Sequence, residues 1–367
     1  MTHATAAITR AEGQPFVLED IDVDQPRADE VLVRIVASGV CHTDVNCRNQ
    51  VYDIELPIVL GHEGSGVIEA VGSQVSSAAV GDHVVLSYGT CGVCPTCRSG
   101  HSAYCPQVYP LNLVGNRPDG SSSLSGGVRS HFFGQSSFAT HAVVPERNVV
   151  AVSKDAPLAL LGPLGCGIQT GAGAVLLSLQ VRAGESLVVF GAGAVGLSAV
   201  MAGVIAGAYP IIAVDLSASR LKKATELGAT YVIDATEQDP VAAVRELTHG
   251  GARYAIEATG SPAAFSQAVQ SLGSRGVCGL VGAVGAGVNG SFDWLHVQMS
   301  GITIRGVIEG DAIPQDFIPQ LISYHQRGRF PFDRLITEYD FADINTAVAD
   351  AEAGVAIKPV LRIGSVS

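Results

Sequence analysis

The sequence predicts an α/β protein of two domains, one a barrel-like assembly of β-strands and the other a doubly wound parallel sheet. Three observations favour this fold. The chain has 367 residues, more than one typical domain contains. Short apolar segments punctuated by glycine fill residues 16–90, as in an all-β unit. From Glu185 onward apolar strands alternate with helical segments, which is typical of a parallel sheet wrapped by helices.

The barrel-like domain begins with four predicted strands, at 16–23, 30–40, 65–72 and 82–88. Residues 91–135 are rich in Cys, Gly, Pro and Ser, so we predict a loop there. The pattern of the sequence changes near Gly165, just before the predicted second domain begins. The last fifty or so residues carry two predicted helices and a final strand, and we expect them to return to the first domain. These elements lie at 317–326, 344–354 and 358–363.

Composition excludes several classes of partner. Hydrophobic residues make up 47% of the chain and charged residues 15%, which is ample for large cores. The net charge of −12 argues against non-specific binding to nucleic acid or to an anionic membrane surface. The longest apolar stretch, near 195–208, is interrupted by Gly and Ser and is too short to span a bilayer.

No basic segment followed by a long apolar run marks the first residues, so we expect no secretory signal and a cytoplasmic protein. The chain has eight cysteines. In a reducing compartment they are better interpreted as metal ligands or buried thiols than as disulfides.

The densest signal is a group of four cysteines in one short loop, at Cys91, Cys94, Cys97 and Cys105. Four thiolates at this spacing close around one tetrahedral zinc, because each short link lets the chain turn back on the ion. The alternatives are four unrelated cysteines or a redox Cys-x-x-Cys pair. A closed four-sulfur site has no open position, so we predict a structural zinc and no chemistry there.

Three further segments carry candidate ligands, at Cys41, His62 and Cys166. A lone cysteine is more often a small core residue, and a lone histidine is more often a satisfied polar group. A Cys, His, Cys set would leave a fourth position open for water or substrate, as catalytic zinc requires. Spacing alone leaves both interpretations open.

A Gly-x-Gly-x-x-Gly turn follows the predicted strand 186–190 and opens an apolar helix, which is the context of a dinucleotide site. Gly191 permits the tight turn, Gly193 lets a pyrophosphate approach the backbone, and Gly196 lets the helix pack on the strand. Val195 lies within the same turn, where the helix N-terminus offers N–H groups to phosphates. The alternative is a glycine-rich turn in an unrelated α/β domain.

Asp215 ends the next strand and is expected to accept hydrogen bonds from the ribose hydroxyls of adenosine. A phosphate there would be repelled by the carboxylate, so NAD is favoured over NADP. Arg220 follows shortly, and we expect it to flank the adenine.

Residues 61–75, GHEGSGVIEAVGSQV, resemble the zinc signature of medium-chain alcohol dehydrogenases. The GVCHTD segment at 39–44, the four-cysteine loop and the GCGIQTG segment at 165–171 occur in the same order as in that family. The resemblance covers essentially the whole chain. It implies a GroES-like β-barrel catalytic domain over 1–167 and 312–367 and an inserted Rossmann domain over 168–311.

The resemblance also implies the metals and their ligands. Cys41, His62 and Cys166 would bind a catalytic zinc, and the four-cysteine loop would hold a structural one, giving two zinc ions per subunit. The catalytic zinc would act as a Lewis acid that lowers the pKa of a bound alcohol, so that hydride can pass to NAD. Cys47 and Cys278 match no ligand position and are predicted to be ordinary thiols.

The same resemblance implies roles for three residues that lie beside the candidate ligands in the sequence. Thr43 resembles the Ser/Thr that hydrogen-bonds the substrate oxygen and passes its proton onward. Asp44 resembles the carboxylate that orients the histidine ligand. Glu63 resembles the acid behind the zinc, and a structural ion pair is its alternative.

The resemblance further implies contacts with the cofactor. Lys358 matches a basic residue that contacts the pyrophosphate, and the Val281-Gly282-Ala283 turn matches the segment that meets the nicotinamide amide. His42 stands where many members carry an arginine that grips the pyrophosphate. Asn46 replaces a histidine that ends the proton relay in many members, and an amide is no general base. The proton's route is therefore open, with the ribose hydroxyls, water or His42 as candidates.

The substrate is expected to be an uncharged alcohol, because nothing ionic is needed to recognise it. Residues 304–322 resemble the subgroup that oxidises aryl and allylic alcohols such as benzyl alcohol. Tyr88 and the apolar residues from Ile308 to Ile313 are candidates to line the pocket, with helix packing as the alternative.

Two other classes of function stay in view. One is a dehydrogenase for short aliphatic alcohols or formaldehyde conjugates, although an anionic conjugate would need a positive pocket that we do not identify. The other is a zinc-stabilised dinucleotide sensor without catalysis, which the three intact ligands and Thr43 argue against. We expect a homodimer or homotetramer, since both occur in the family.

Overall fold

The computed structural model describes residues 1–365, which divide into two compact units. The first unit contains Met1–Cys166, Ile313–Ile322 and the chain from Asp333 onward. The second contains Gly167–Ala312 and Ser323–Phe332.

Sixteen strands are present in the described residues. In chain order they are β1 (Thr2–Thr9), β2 (Val17–Val23), β3 (Glu30–Gly39), β4 (Ile58–Val59), β5 (Glu63–Val71), β6 (His83–Leu86), β7 (His141–Pro145), β8 (Val149–Val152), β9 (Leu187–Phe190), β10 (Ile211–Asp215), β11 (Tyr231–Asp234), β12 (Ala252–Glu257), β13 (Leu272–Leu280), β14 (Thr303–Gly306), β15 (Ile336–Asp340) and β16 (Lys358–Arg362).

Twelve α-helices accompany them in the same residues. They are α1 (His42–Arg48), α2 (Pro95–Arg98), α3 (Val108–Asn112), α4 (Leu158–Leu161), α5 (Gly167–Gly173), α6 (Ala194–Ala206), α7 (Ala218–Glu226), α8 (Pro240–Leu247), α9 (Pro262–Gln270), α10 (Trp294–Ser300), α11 (Pro314–Gln326) and α12 (Ile344–Glu352).

Two sheets build the first unit. The smaller has the order β2-β1-β4, and the larger runs β15-β16-β3-β5-β6-β8, with β7 also paired to β3. Nearly all of these pairings are antiparallel, and β15 with β16 is the parallel exception. Strand β3 is central because its residues are almost all buried and it pairs with three neighbours. Strand β3 therefore fixes the position of two segments: the one that follows its own end and the one that precedes β5.

The second unit is built on one parallel sheet with the order β11-β10-β9-β12-β13-β14. In order of sequence within the unit this is 3-2-1-4-5-6, the doubly wound order of dinucleotide-binding sheets. Strand β9 is buried along its whole length, as expected for a strand covered on both faces. The strand order reverses between β9 and β12, and the glycine-rich turn leaves β9 at that point.

Several elements were not predicted. Strand β1 precedes the first predicted strand, and its buried apolar residues Ala4, Ala6, Ala7 and Ile8 are broken by Thr5. The predicted loop 91–135 contains helices α2 and α3 and short 3-10 turns, although it has no strand. These helices have four and five residues, too short to show helical periodicity.

The predicted boundaries differ from the units in one segment. We predicted that 312–367 would belong to the first domain as a whole, but Ser323–Phe332 group with the second unit. The rings of His325 and Phe332 lie 4.6 Å apart, and Phe330 and Phe332 are fully buried, so this stretch is part of a core although its flanks are polar.

Within residues 1–365 no single helix is long and apolar enough to cross a membrane. One bent pair, Leu158–Gly165 with Gly167–Ser178, passes that test by length and composition only. Most of its apolar side chains are buried in the protein, as in a core segment.

Candidate active site and metal centres

The first unit brings four potential metal ligands together. Donor atoms of Cys41, His62, Glu63 and Cys166 all lie within 4.8 Å of one another. Cys41 precedes α1 and His62 precedes β5, so the segments at the end of β3 and the start of β5 converge on this point. Three of the four are the residues that the sequence had scattered over the chain.

One carboxylate, that of Asp44, holds two of these ligands in place. Its Oδ1 accepts hydrogen bonds from His62 Nδ1 at 2.8 Å and from the Gly61 amide at 3.0 Å. Its Oδ2 accepts the Cys41 amide at 2.9 Å. Asp44 is fully buried, so these bonds are not shared with bulk solvent. The carboxylate thus orients the imidazole in the way that carboxylates orient metal-bound histidines.

The donor set fits a metal ion. With Nδ1 facing Asp44, the other ring nitrogen, His62 Nε2, is buried and has no hydrogen-bond partner among the described residues. A buried orphaned nitrogen is costly unless an unseen group satisfies it. The contact with Cys166, helped by Lys358 and His62, lowers the pKa of the Cys41 thiol well below its usual value despite burial. A thiolate and a free imidazole nitrogen are ligands that zinc prefers.

Glu63 is engaged by Lys358. The Lys358 Nζ lies 2.9 Å from each Glu63 oxygen and 3.2 Å from the Val40 carbonyl. Burial opposes the charged lysine, yet Glu63 and Cys41 raise the pKa of Lys358 above its ordinary value. Burial raises the pKa of Glu63, against the effect of Lys358.

This pairing corrects the prediction that Lys358 contacts the cofactor pyrophosphate. The ammonium has three N–H donors, and three acceptors of the protein already use them. Lys358 is only 3% exposed. The structural ion pair, which the sequence left as the alternative for Glu63, is therefore present.

Two aromatic residues that no motif in the sequence predicts pack on His62. The Phe133 ring stacks on His62 with centroids 4.4 Å apart, and Phe132 meets it edge-on at 5.4 Å. Gln135 adds two hydrogen bonds, donating to the His62 carbonyl and accepting the Gly64 amide. No metal-ligand or nucleotide motif marks this segment, so only the Phe-Phe pair in the sequence could have indicated it.

The remaining residues near Cys41 lie along α1. His42 is exposed, Thr43 and Asn46 are half-buried, and Cys47 is fully buried. Burial, with the nearby Asp44 and Cys41 charges, raises the pKa of Cys47, which is the behaviour of an ordinary buried thiol.

Tyr88 is 3% exposed, and its hydroxyl is 3.4 Å from Ser102 Oγ, in the four-cysteine loop. The preceding residue, Ser87, donates a hydrogen bond to the Gly165 carbonyl at 2.7 Å, one residue before Cys166. A place for Tyr88 in the substrate pocket stays a prediction, with packing as its alternative.

The four loop cysteines form a second cluster, with all donor atoms within 4.8 Å of one another. Backbone amides of Cys94 and Cys97 donate to Cys91 Sγ and Cys94 Sγ, each at 3.4 Å. Amides of Val93 and Cys94 lower the pKa of Cys91 to about 6. Such bonds favour thiolates, so the cluster fits a closed four-sulfur zinc site.

Two side chains close the base of this loop. Asn112 accepts the Gly89 amide through Oδ1 at 2.7 Å and donates to the Gly89 carbonyl at 2.9 Å. Arg147 donates to the carbonyls of Thr90 and Cys91. The loop is therefore anchored by hydrogen bonds that involve no metal.

In the second unit the glycine-rich turn has the geometry that the motif predicts. Gly191 has a φ of 96°, which disfavours any side chain. A Cβ on Gly196 would lie 1.7 Å from the Gly191 carbonyl oxygen, so the helix packs directly on the turn. A Cβ on Gly193 would meet nothing within 4 Å, which leaves the backbone open to a ligand. Val195 follows in the first turn of α6 and is half-buried.

Asp215 ends β10 and reaches the glycine turn. Its carboxylate accepts the Ala192 amide at 2.6 Å and the Ser217 amide at 2.9 Å. Arg220 is half-buried on α7, and its Nε has no partner among the described residues. The amides of Val281 and Gly282 both donate to the Glu257 carbonyl at 2.9 Å, and Ala283 follows exposed.

A doubly wound sheet with this turn, a Cys-His-Cys cluster and a separate four-cysteine loop define a zinc-binding dehydrogenase of the medium-chain type. Residues 27–154 match the alcohol dehydrogenase GroES-like domain, and residues 194–324 match the zinc-binding dehydrogenase domain. The chain belongs to the zinc-dependent alcohol dehydrogenase family.

Individual proteins support the assignment. A geraniol dehydrogenase of Castellaniella defragrans is 47% identical over 98% of this chain and 97% of its own. The benzyl alcohol dehydrogenase structure from Acinetobacter calcoaceticus is 50% identical, with a TM-score of 0.97 over 99% of this chain and 100% of that one. An alcohol dehydrogenase zinc-binding domain protein from Burkholderia ambifaria is 55% identical, with a TM-score of 0.97 over 98% and 99% of the two chains.

The buried pair of Glu63 and Lys358 generates a test. Lys358→Met leaves a carboxylate buried without its partner, so we expect a loss of about 3–5 kcal/mol in the free energy of unfolding, measured with urea. Glu63→Gln in the same chain removes the orphaned charge and should restore most of that loss. Lys223→Met, at the more exposed Lys223–Glu226 pair, is the control and should cost less than ~1 kcal/mol. Equal losses in the free energy of unfolding for Lys358→Met and Lys223→Met would contradict the interpretation.

Proposed function

We propose that the chain oxidises primary alcohols, aromatic or allylic ones above all, to aldehydes by transferring hydride to NAD. The observation that carries the proposal is the buried Cys41-His62-Cys166 cluster with an orphaned His62 Nε2. A site with three such ligands keeps a position open for the substrate, unlike the four-cysteine cluster. We further propose that one zinc ion binds at each cluster.

The bound zinc would supply Lewis-acid polarisation of the alcohol oxygen. The protein's own groups prepare that site. Asp44 fixes the imidazole tautomer, so that Nε2 faces the ligand cluster. The Thr43 hydroxyl, two residues after Cys41, would hydrogen-bond the substrate oxygen and relay the substrate's proton, accepting it while releasing its own hydroxyl proton onward to water. Lys358 offsets the negative charge that Glu63 and the two thiolates place in one buried volume.

The preference for aromatic or allylic alcohols is supported by the packing on His62. The stacked Phe133 ring puts an apolar π-surface beside the ligand cluster, and aromatic rings pair favourably with such surfaces. Two of the relatives are a geraniol and a benzyl alcohol dehydrogenase. Both alcohols carry the hydroxymethyl group next to a π-bonded carbon, which stabilises the developing carbonyl.

The activity is tested by NADH formation at 340 nm with benzyl alcohol, geraniol and ethanol. Cys41→Ala removes a ligand, so we expect kcat/KM to fall at least ~100-fold. Cys47→Ala removes a buried thiol from α1, the helix that Cys41 precedes, and is the matched control, expected to keep most of the activity. A better rate with ethanol than with benzyl alcohol would refute the substrate preference alone. Full activity of the Cys41 variant would refute the site.

The choice of NAD rests on Asp215, whose carboxylate lies beside the glycine turn through its bond to the Ala192 amide. A 2′-phosphate would meet this negative charge, whereas ribose hydroxyls would donate to it. We propose that the exposed His42 contacts the pyrophosphate and binds it more weakly than the bidentate guanidinium of an arginine would.

Asp215→Ser should raise kcat/KM with NADP about tenfold and lower it with NAD, because the repulsion is removed. The control is Asp234→Ser, at the end of the neighbouring strand β11, where the carboxylate likewise accepts a backbone amide two residues on. Steady-state kinetics with both cofactors measures the ratio of kcat/KM with NADP to kcat/KM with NAD. The proposal fails if the wild-type chain prefers NADP or if both variants change the ratio alike.

We also propose that the chain forms a homo-oligomer through the second unit. Strand β14 pairs only with β13 and leaves its other edge open in the described residues. Helix α10 just before it exposes Trp294, Leu295 and Met299, by 75%, 64% and 77%. An open strand edge beside large exposed apolar side chains fits a second copy of the chain.

Leu295→Asp should shift the chain toward monomer in light scattering coupled to size exclusion, because it places a charge in the interface. Leu216→Asp is the matched control, since Leu216 is 70% exposed elsewhere in the same unit. A monomeric wild-type chain, or an unchanged mass of the Leu295 variant, would rule out this interface.

A further inference from the structure

A short stretch of chain lies against the backbone that leads to the histidine ligand and runs in the opposite direction. The Phe138 amide donates to the Leu60 carbonyl at 3.0 Å, and the Ser137 amide donates to the Gly61 carbonyl at 2.9 Å. The donor moves back by one residue as the acceptor moves forward by one. The next acceptor in this series is the carbonyl of His62.

The next backbone amide, that of Ser136, does not continue the series because the chain turns away. Ser136 has a φ of 52°, in the left-handed region, and its amide donates to the Phe132 carbonyl at 3.0 Å. Its hydroxyl donates to the Val59 carbonyl at 2.6 Å. His62 is 1% exposed, so its carbonyl needs a donor from the protein.

The side chain of Gln135 supplies that donor. Its Nε2 donates to the His62 carbonyl at 2.9 Å, and its Oε1 accepts the Gly64 amide at 3.0 Å. A carbonyl only accepts and an amide only donates, so these partners fix the orientation of the carboxamide. Gln135 is 1% exposed, so bulk water does not compete for either bond. One side chain therefore holds the backbone on both sides of Glu63, as a peptide group would.

Glycines on both sides of the histidine make this close approach possible. A Cβ on Gly61 would lie 2.5 Å from the Phe138 nitrogen. A Cβ on Gly64 would lie 2.7 Å from Ser137 Cβ and 3.0 Å from Gln135 Oε1. Both positions therefore need the missing side chain, and Gly61 needs it also for its φ of 88°.

The histidine ligand is thus held at three separate places. Asp44 bonds its Nδ1, the Phe133 ring stacks on its imidazole face, and Gln135 bonds its backbone carbonyl. Only the contact with Gln135 can be removed without a change at the ring. A substitution there consequently tests what the position of the His62 backbone contributes to the site.

We propose that Gln135 is a positioning residue for the metal ion of the Cys41-His62-Cys166 cluster. By holding the His62 backbone it keeps Nε2 at bonding distance from the ion, and so it raises the affinity of the cluster for zinc. Metal–ligand distances in good sites vary by only about 0.2 Å, so a small backbone shift is felt at the ion. The inference rests on the proposal that one zinc ion binds at this cluster.

The test is competition for zinc between the full-length, zinc-loaded protein and a chromophoric chelator. Gln135→Met keeps the length of the side chain and removes both hydrogen bonds. We expect the zinc affinity of the Cys41-His62-Cys166 cluster to fall about 10- to 100-fold, as for other groups that hold a ligand in place. Cys41→Ala lacks a ligand of this cluster and identifies which of the two zinc ions is released.

Asn112→Leu is the matched control. The Asn112 carboxamide is also buried, and it also bonds one backbone amide and one carbonyl, both of Gly89 at the base of the four-cysteine loop. The variant removes an equivalent pair of buried hydrogen bonds from the same unit. It should leave the zinc affinity of the Cys41-His62-Cys166 cluster at the wild-type value.

Substitution of zinc by Co²⁺ gives a second measurement, because the d–d absorption bands of the ion report the geometry of its ligands. The spectrum of Cys41→Ala is subtracted to isolate the cluster that contains His62. The bands should shift or weaken in Gln135→Met and also in Gln135→Glu, whose ionised carboxylate has no hydrogen to donate to the His62 carbonyl. Gln135→Glu provides the measurement if the Met variant does not fold. Asn112→Leu should leave the bands unchanged.

Wild-type zinc affinity and wild-type cobalt bands in the Gln135 variants would overturn the proposal. An equal loss of affinity in Asn112→Leu would do so too, since it would show a general loss of stability. Retention of both zinc ions by Cys41→Ala would refute the metal site itself, and the role of Gln135 with it. Alcohol oxidation is not measured, so an absence of that activity would refute the proposed function and leave these results standing.

Discussion

The geometry of the Cys41-His62-Cys166 cluster depends on the buried carboxylate of Asp44. Its two oxygens accept the amides of Cys41 and Gly61 and face the His62 ring, so one side chain ties together the segments after β3 and before β5. The two segments flank strands β3 and β5, which pair with each other along nearly their whole length, with two register shifts. The sheet brings the ligands close, and the carboxylate then sets their orientation. A neutral side chain in its place would leave buried donors unsatisfied.

Charge balance is the second constraint on this volume. Two thiolates and the Glu63 carboxylate would be costly to bury together without a cation. Lys358 arrives from the far end of the chain, on a strand that pairs with β3 beside Cys41. The C-terminal segment therefore has an electrostatic role in the first unit as well as a structural one, because its Lys358 balances the negative charge of the buried cluster. This explains why a residue predicted to hold the cofactor is found buried in an ion pair.

Much of the fold followed from local sequence. The glycine turn at Gly191–Gly196, the alternation after Glu185 and the close spacing of Cys91 to Cys105 depend on neighbours in the chain, and the structure places these residues as their patterns indicate. The features that escaped prediction depend on residues far apart. Phe133 meets His62 and Lys358 meets Glu63, and neither contact has a periodic signal.

The last of the clustered ligands, Cys166, is also the last residue of the first unit before the chain enters the second. All seven clustered cysteine and histidine donors therefore precede Gly167. Both clusters are consequently encoded in one contiguous stretch of gene, whereas the cation beside one of them, Lys358, is encoded near the end on strand β16. A joint just after Cys166 would carry both clusters into a new protein whole, but it would leave Lys358 behind and so deprive Glu63 of its buried partner.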